Sequence, residues 1–175
     1  FRIMTSLKKS TFLGNFLKLL PIILLFVSVL NEFDANYLQV PYLSFNFAYI
    51  LIFFWTLKRI DHFGYGLIFV AGIINDVVTG VPIGLSSFLY MLICASTSYL
   101  RSITLRPNII KDWFYFLFII SFVNSIYYMV LSYIFIADLN YKFLLVNNFS
   151  TFLVFFLFHF LFNYYHDKFI GKSDV

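Results

Sequence analysis

Asp76 is the ionisable side chain placed most clearly inside an apolar segment of this chain. It occurs in the sequence GIINDVVTG, which runs from Gly72 to Gly80. A carboxylate in such a segment is costly to bury and points either to function or to a local structural role. Three interpretations are open. The carboxylate could accept backbone N–H groups at the start of the next helix, where the helix dipole favours negative charge; it could bind a partner or ligand; or it could carry protons.

Small residues recur around this carboxylate at four-residue spacing. The positions are Gly72, Asp76, Gly80 and Gly84, with Gly64 eight residues earlier on the same register. On a helix, this spacing puts small side chains on one face and allows a second helix to approach closely. Gly80 and Gly84, with Pro82 between them, also mark a tight turn. We therefore expect these residues to form a hairpin of two closely packed helices, or a groove that receives a partner helix.

Sequence signatures of catalysis and of metal binding do not occur in this chain. The three histidines, His62, His159 and His166, lack metal-ligand spacing, and no nucleophile elbow, phosphate loop, zinc motif or carboxylate pair is found. We therefore predict a protein that is not an enzyme and has no catalytic residue, cofactor or metal. The other polar side chains within apolar segments are expected to hydrogen-bond between helices; they are Asn124, Asn147, Asn148, His159 and Asn163.

The composition defines the elements that must position these residues. The chain has 175 residues, of which 62% are hydrophobic and 11% charged. A typical soluble domain is about 45–50% apolar and about 25% charged, so this chain has too few charges to cover a water-exposed surface. Its mean hydropathy is +0.89. The composition predicts an integral membrane protein that contacts lipid. The excess of Lys and Arg lies at helix ends, with no basic stripe for nucleic acid.

Apolar segments long enough to cross a membrane occur six times. A spanning helix needs about 20 mostly apolar residues. The predicted spans are about 17–33, 38–57, 63–78, 85–100, 113–136 and 143–164. Pro21 and Pro41 fall near the starts of the first two spans, where a missing N–H costs little. The sequence thus predicts an all-α membrane protein, a bundle of six transmembrane helices that forms a single domain over residues 1–175.

The distribution of Lys and Arg predicts how this bundle is oriented. When the loops are assigned to alternate sides, eleven of the 12 basic residues fall on the side of both termini, and only Lys142 falls on the other. Two of the three loops on the Lys142 side carry acidic residues. The positive-inside rule then places both the N-terminus and the C-terminus in the cytoplasm.

The segment from about Pro41 to Arg106 resembles the MreD family, the rod shape-determining membrane proteins of bacteria. The residues that carry the resemblance are Pro41, the segment GLIFVAGIIND from Gly66 to Asp76, the segment GVPIGL from Gly80 to Leu85, Tyr90 and Arg101. The chain length and the predicted six spans are also similar to that family. One departure is Val40, because the family often has Arg before the proline of the second span.

This resemblance implies a non-enzymatic scaffold of the cell-elongation complex in the bacterial inner (plasma) membrane. Such a scaffold supports rod shape and side-wall peptidoglycan synthesis. Its most direct partner is an MreC-like protein, and MreB, RodA and a penicillin-binding transpeptidase belong to the wider complex. The motif positions that the resemblance carries over are Gly72, Asp76, Gly80 and Gly84.

An alternative function comes from a different class of membrane protein. MreD-like chains also resemble the six-span substrate-binding components of energy-coupling-factor transporters, which bind a vitamin or metal ion in a pocket open to the outside. This chain has no histidine cluster for a metal ion. A pocket for a small vitamin could still be built from its Asn, Ser and Tyr side chains.

Overall fold

The computed structural model describes residues 12–30, 45–58, 64–104, 108–136 and 141–170. Within these ranges every regular element is a helix and no strand occurs, as the all-α prediction requires. The six α-helices are α1 (Phe12–Leu30), α2 (Phe47–Lys58), α3 (Tyr65–Thr79), α4 (Leu85–Ile103), α5 (Ile109–Met129) and α6 (Tyr141–Tyr165). Helix α5 continues into a π-helical segment, Val130–Ile134, and α6 into a second one, His166–Ile170.

Helix α2 is shorter than the sequence predicted. The predicted span began at residue 38, but Phe45 and Asn46 are not helical, and residues 38–44, with Pro41, lie outside the described ranges. The Asn46 side chain caps the helix, because its Oδ1 accepts from the Tyr49 backbone N–H at 3.2 Å. The Asn46 N–H donates to Thr151 Oγ1 on α6 at 2.9 Å. Helix α2 has 12 residues, so it is only about 18 Å long.

Despite its length, α2 is the centre of the bundle. Ten consecutive residues, 47–56, are buried, and the helix contacts α1, α4 and α6. A helix that is apolar all round is typical of such a central position. Aromatic rings fill the space beside it: the Phe116 ring stacks on Phe155 with centroids 4.2 Å apart, and Phe53 lies 4.9 Å from Phe116. These rings join α2, α5 and α6.

Other helix boundaries also differ from those predicted. Helix α5 begins four residues before the predicted residue 113, because Asn108 Oδ1 accepts from the Ile110 N–H at 3.1 Å and caps it. Asp112 then lies in the first turn, where the helix dipole favours a carboxylate. Helix α1 begins at Phe12, five residues earlier than predicted, so Pro21 lies within the helix.

Two of the described helices are long and apolar enough to cross a membrane. They are Ile109–Ile134 and Tyr141–Lys168, with 26 and 28 residues. Their outward faces carry large apolar side chains, such as Phe118 at 72% exposure and Leu157 at 70%. The described parts of α1, α2 and α3 form shorter apolar helices. The prediction of six spans with cytoplasmic termini stays a prediction.

The aromatic core of the bundle gives a direct test of this packing. Phe116 is fully buried and stacked on Phe155, whereas Phe118, two residues along the same helix, is 72% exposed. Phe116→Ala should lower the free energy of unfolding by about 3–5 kcal/mol because it leaves a cavity. Phe118→Ala is the matched control and should lower it far less. Unfolding by sodium dodecyl sulfate titration in mixed micelles measures both, and equal losses would contradict the packing.

Candidate functional site

The turn between α3 and α4 is built on two glycines with left-handed backbone conformations. Gly80 ends α3 with a φ of 69°, and Gly84 precedes α4 with a φ of 99°. An added Cβ at either position would meet nothing within 4 Å. These glycines are therefore needed for backbone conformation, not for space. The carbonyl of Pro82, between them, accepts from the Leu85 N–H at 3.2 Å.

Gly72 is the point of closest approach between α3 and α4, the pair of helices that pack most extensively. An added Cβ there would overlap the Cα of Ser87 and lie 2.5 Å from its backbone nitrogen. The Ser87 hydroxyl reaches across the same contact and donates to the Phe69 carbonyl at 2.9 Å. Gly64 was expected on the same close-packed face as Gly72, but it does not take part in this contact. It is exposed at the start of α3, and an added Cβ there would meet nothing within 4 Å.

Asp76 holds this hairpin together from inside. The side chain is fully buried. Its Oδ2 accepts from the Gly84 N–H at 2.7 Å, and its Oδ1 accepts from the Ser86 N–H at 2.9 Å. Both N–H groups belong to the positive end of α4, so the carboxylate caps the next helix, as the first interpretation of Asp76 predicts. Asn75 adds a side-chain bond from Nδ2 to Ser86 Oγ at 2.9 Å.

A polar cavity of about 370 Å³ lies beside this hairpin. It lies at the end of the bundle where α1, α3 and α5 finish and α2, α4 and α6 begin. All six helices or their caps contribute polar lining side chains: Ser28, Asn46, Tyr49, Asn75, Thr79, Ser86, Tyr90, Asn124, Tyr127 and Asn147. Among the described residues, no Asp, Glu, Lys, Arg or His lines it.

Four of the five polar side chains expected between helices fall into two groups. Asn124 and Asn148 connect α5 to α6, because Asn124 Nδ2 donates to Asn148 Oδ1 at 3.3 Å and Asn148 Nδ2 donates to Ser121 Oγ at 2.9 Å. The buried His159 instead packs against aromatic rings, and its Nδ1 has no hydrogen-bond partner within the described ranges. The Oδ1 of Asn163, one turn further along α6, is likewise unpaired there.

The chemistry that this site offers is therefore hydrogen bonding, in the turn and in the cavity. In the described part of the chain, no group of three or more His, Cys, Asp and Glu side chains is placed to hold a metal ion. No known family model, curated protein or solved structure matches the chain.

The close contact at Gly72 predicts a sharp difference between two glycines of α3. Gly72→Ala should lower the free energy of unfolding by about 1–3 kcal/mol or more, because the new methyl group meets the backbone of Ser87. Gly66→Ala is the matched control; it has open space around it and gains helix propensity, so its stability should be unchanged or slightly higher. Detergent unfolding compares the two, and similar losses would rule out the contact.

Loss of the Asp76 carboxylate should also destabilise the hairpin. In Asp76→Ala, the N–H groups of Gly84 and Ser86 lose their acceptor, at about 1–3 kcal/mol for each one that stays unpaired. Asp76→Asn keeps one side-chain oxygen as an acceptor, so we expect an intermediate stability. Thermal melting in detergent ranks the three proteins, and an Asp76→Ala variant as stable as the parent would contradict the capping role.

Proposed function

We propose that this protein is a multi-pass protein of the bacterial plasma membrane that acts as a non-enzymatic scaffold of the cell-elongation complex. In that role it supports rod shape and side-wall peptidoglycan synthesis. Its direct partner is an MreC-like protein, with MreB, RodA and a penicillin-binding transpeptidase in the wider complex. The observation that carries the proposal is the α3–α4 hairpin, because it is built from the residues that carry the resemblance to the MreD family.

The four motif positions that the resemblance carries over each have a structural task within the hairpin. Gly72 admits the backbone of Ser87, Asp76 caps α4, and Gly80 and Gly84 adopt the left-handed conformations of the turn. A motif with these tasks suits a protein that works by presenting helices in a fixed arrangement. It supports a scaffold better than a catalyst, since the buried carboxylate is already engaged by two backbone N–H groups.

The outward face of the hairpin gives a partner helix a place to pack. Phe69, Val70 and Val77 on α3 are 47%, 45% and 65% exposed, and Phe88 on α4 is 55% exposed. Inside a bilayer such a face contacts lipid or another apolar helix, and packing between helices depends on close fit. We propose that this face receives a membrane-spanning helix of the MreC-like partner.

The orientation can be tested separately from the function. With both termini in the cytoplasm, reporter fusions at Ala35 and Asn140 should read outside, and fusions at Ile60, Asn108 and Lys172 should read inside. An alkaline phosphatase and green fluorescent protein pair distinguishes the two sides. A fusion that reads on the wrong side would remove or add a span in the proposed topology.

The cellular role predicts a change of shape. Depletion of this protein in its native bacterium should turn rods into rounded cells, and tagged protein should co-purify the MreC-like partner. A Gly66→Ala copy should restore rods, whereas Gly72→Ala should restore them poorly, with immunoblots reporting how much of each variant reaches the membrane. Normal rods together with a loss of vitamin uptake would overturn the scaffold and favour the substrate-binding component of a transporter.

A further inference from the structure

We propose that the C-terminal half of α6, residues 153–165, is a lever that swings away from α2 about a hinge at Thr151 and Phe152. This movement goes beyond the scaffold role and does not depend on it, because it follows from how α6 is attached within the chain itself. Three features of α6 lead to it: the position of its hydrogen bonds, the local structure at residues 151–152, and the polar groups that stay unpaired beyond them.

Hydrogen bonds attach only the N-terminal half of α6 to its neighbours. The last two of them lie at adjacent residues: Thr151 Oγ1 accepts from the Asn46 N–H at 2.9 Å, and the Trp113 Nε1 donates to the Phe152 carbonyl at 2.9 Å. In the described structure, residues 153–163 make no hydrogen bond to another helix. Packing of apolar and aromatic side chains alone therefore holds this part of α6 against the bundle.

Thr151 and Phe152 have the properties of a hinge. The Thr151 hydroxyl donates to the Asn147 carbonyl, one turn earlier, at 2.7 Å, and a bond of this kind often bends a helix. The Phe152 carbonyl accepts from a side chain of α5, and side chains that enter the backbone ladder are a known cause of helix bends. Because displacement grows with distance from a hinge, Phe155 stays near its place while Phe162 moves.

Three sealed polar atoms near the contact of this half of α6 with α2 have no hydrogen-bond partner within the described ranges. They are Trp55 Nε1 on α2, and His159 Nδ1 and Asn163 Oδ1 on α6. The rings of Trp55 and His159 both contact Phe54, with centroid distances of 5.3 and 5.5 Å. Leaving a buried polar group unpaired costs free energy. The closed contact is therefore less stable than an apolar contact of the same shape would be.

Polar surroundings begin about one turn beyond these atoms, so a small movement is enough to reach them. Lys58 ends α2 one turn after Trp55. At the end of α6, His166 Nδ1 lies 3.3 Å from Asp167 Oδ1, and the Asp167 side chain is 77% exposed. When α6 swings out, water from this end reaches the unpaired atoms, and the new hydrogen bonds offset part of the lost aromatic contact. The open arrangement is a minor conformation in equilibrium with the closed one.

Matched substitutions in the two halves of α6 should change its stability in opposite directions. His159→Leu replaces an unpaired polar group by an apolar one of similar volume, so the melting temperature should rise by about 2–4 °C. Asn148→Leu is the control in the attached half; it removes the bonds to Asn124 and Ser121 and should lower the melting temperature. Thermal melting in detergent measures both. A similar loss of stability in the two variants would overturn the proposal.

Cysteine modification detects the movement itself. In a Cys94→Ser background, Phe162→Cys and Phe152→Cys each replace a buried ring of α6, of 4% and 9% exposure. In nanodiscs, methyl methanethiosulfonate should modify position 162 at least tenfold faster than position 152. Adding His159→Leu should slow the reaction at 162 at least fivefold and leave that at 152 unchanged. Equal rates at the two positions, or a rate at 162 that His159→Leu does not change, would rule out the lever. Both experiments use the purified full chain, so failure of the cellular scaffold test would not affect them.

Discussion

The two hydrogen bonds from the backbone of α4 to the Asp76 carboxylate are the constraint on which this structure depends. They fix the turn between two helices whose apolar surfaces alone would allow several crossing geometries, since such surfaces lack direction. With the turn fixed, the backbone of Ser87 lies against Gly72, and only a glycine leaves room for it. The same bonds place Asn75 and Ser86 at the edge of the cavity. One buried carboxylate thus links the close helix pair to the polar space beside it.

The start of the short central helix borders that space. Helix α2 begins at Phe47, and Asn46, Phe47, Ala48 and Tyr49 line the cavity. Within a bilayer, non-helical backbone is tolerated only where it is buried in protein or lines a polar cavity. Asn46 meets this requirement, because its side chain caps α2 and its N–H donates to Thr151 on α6. One residue, Asn46, thus caps α2 and lines the cavity.

The hairpin could be predicted from the sequence, whereas the position and the lining of the cavity could not, for a physical reason. Glycine spacing and one carboxylate are local signals, so the turn and the cap on α4 follow from residues 72–86. The cavity depends on which helices are neighbours in space, as with Asn46 and Thr151, which are 105 residues apart. The sequence of a uniformly apolar helix does not show which helices are its neighbours, because any of its faces can pack against another helix. For the same reason, hydropathy did not show that α2 is central, and it did not separate Gly64 in open space from Gly72 in close contact.

The aromatic rings of Phe53, Phe116 and Phe155 have a consequence for electrical insulation. They join α2, α5 and α6 one helical turn beyond Tyr49, which lines the cavity, and all three side chains are buried. In a bilayer, an ion driven by the membrane potential would meet these apolar rings beyond the cavity, where it would lose its hydration without gaining a counter-charge. Each elementary charge that crosses 100 mV releases about 2.3 kcal/mol, and such a leak would be harmful to any cell that maintains this potential. The buried rings of Phe53, Phe116 and Phe155 therefore oppose the passage of an ion along α2, although the end of the bundle next to them is polar.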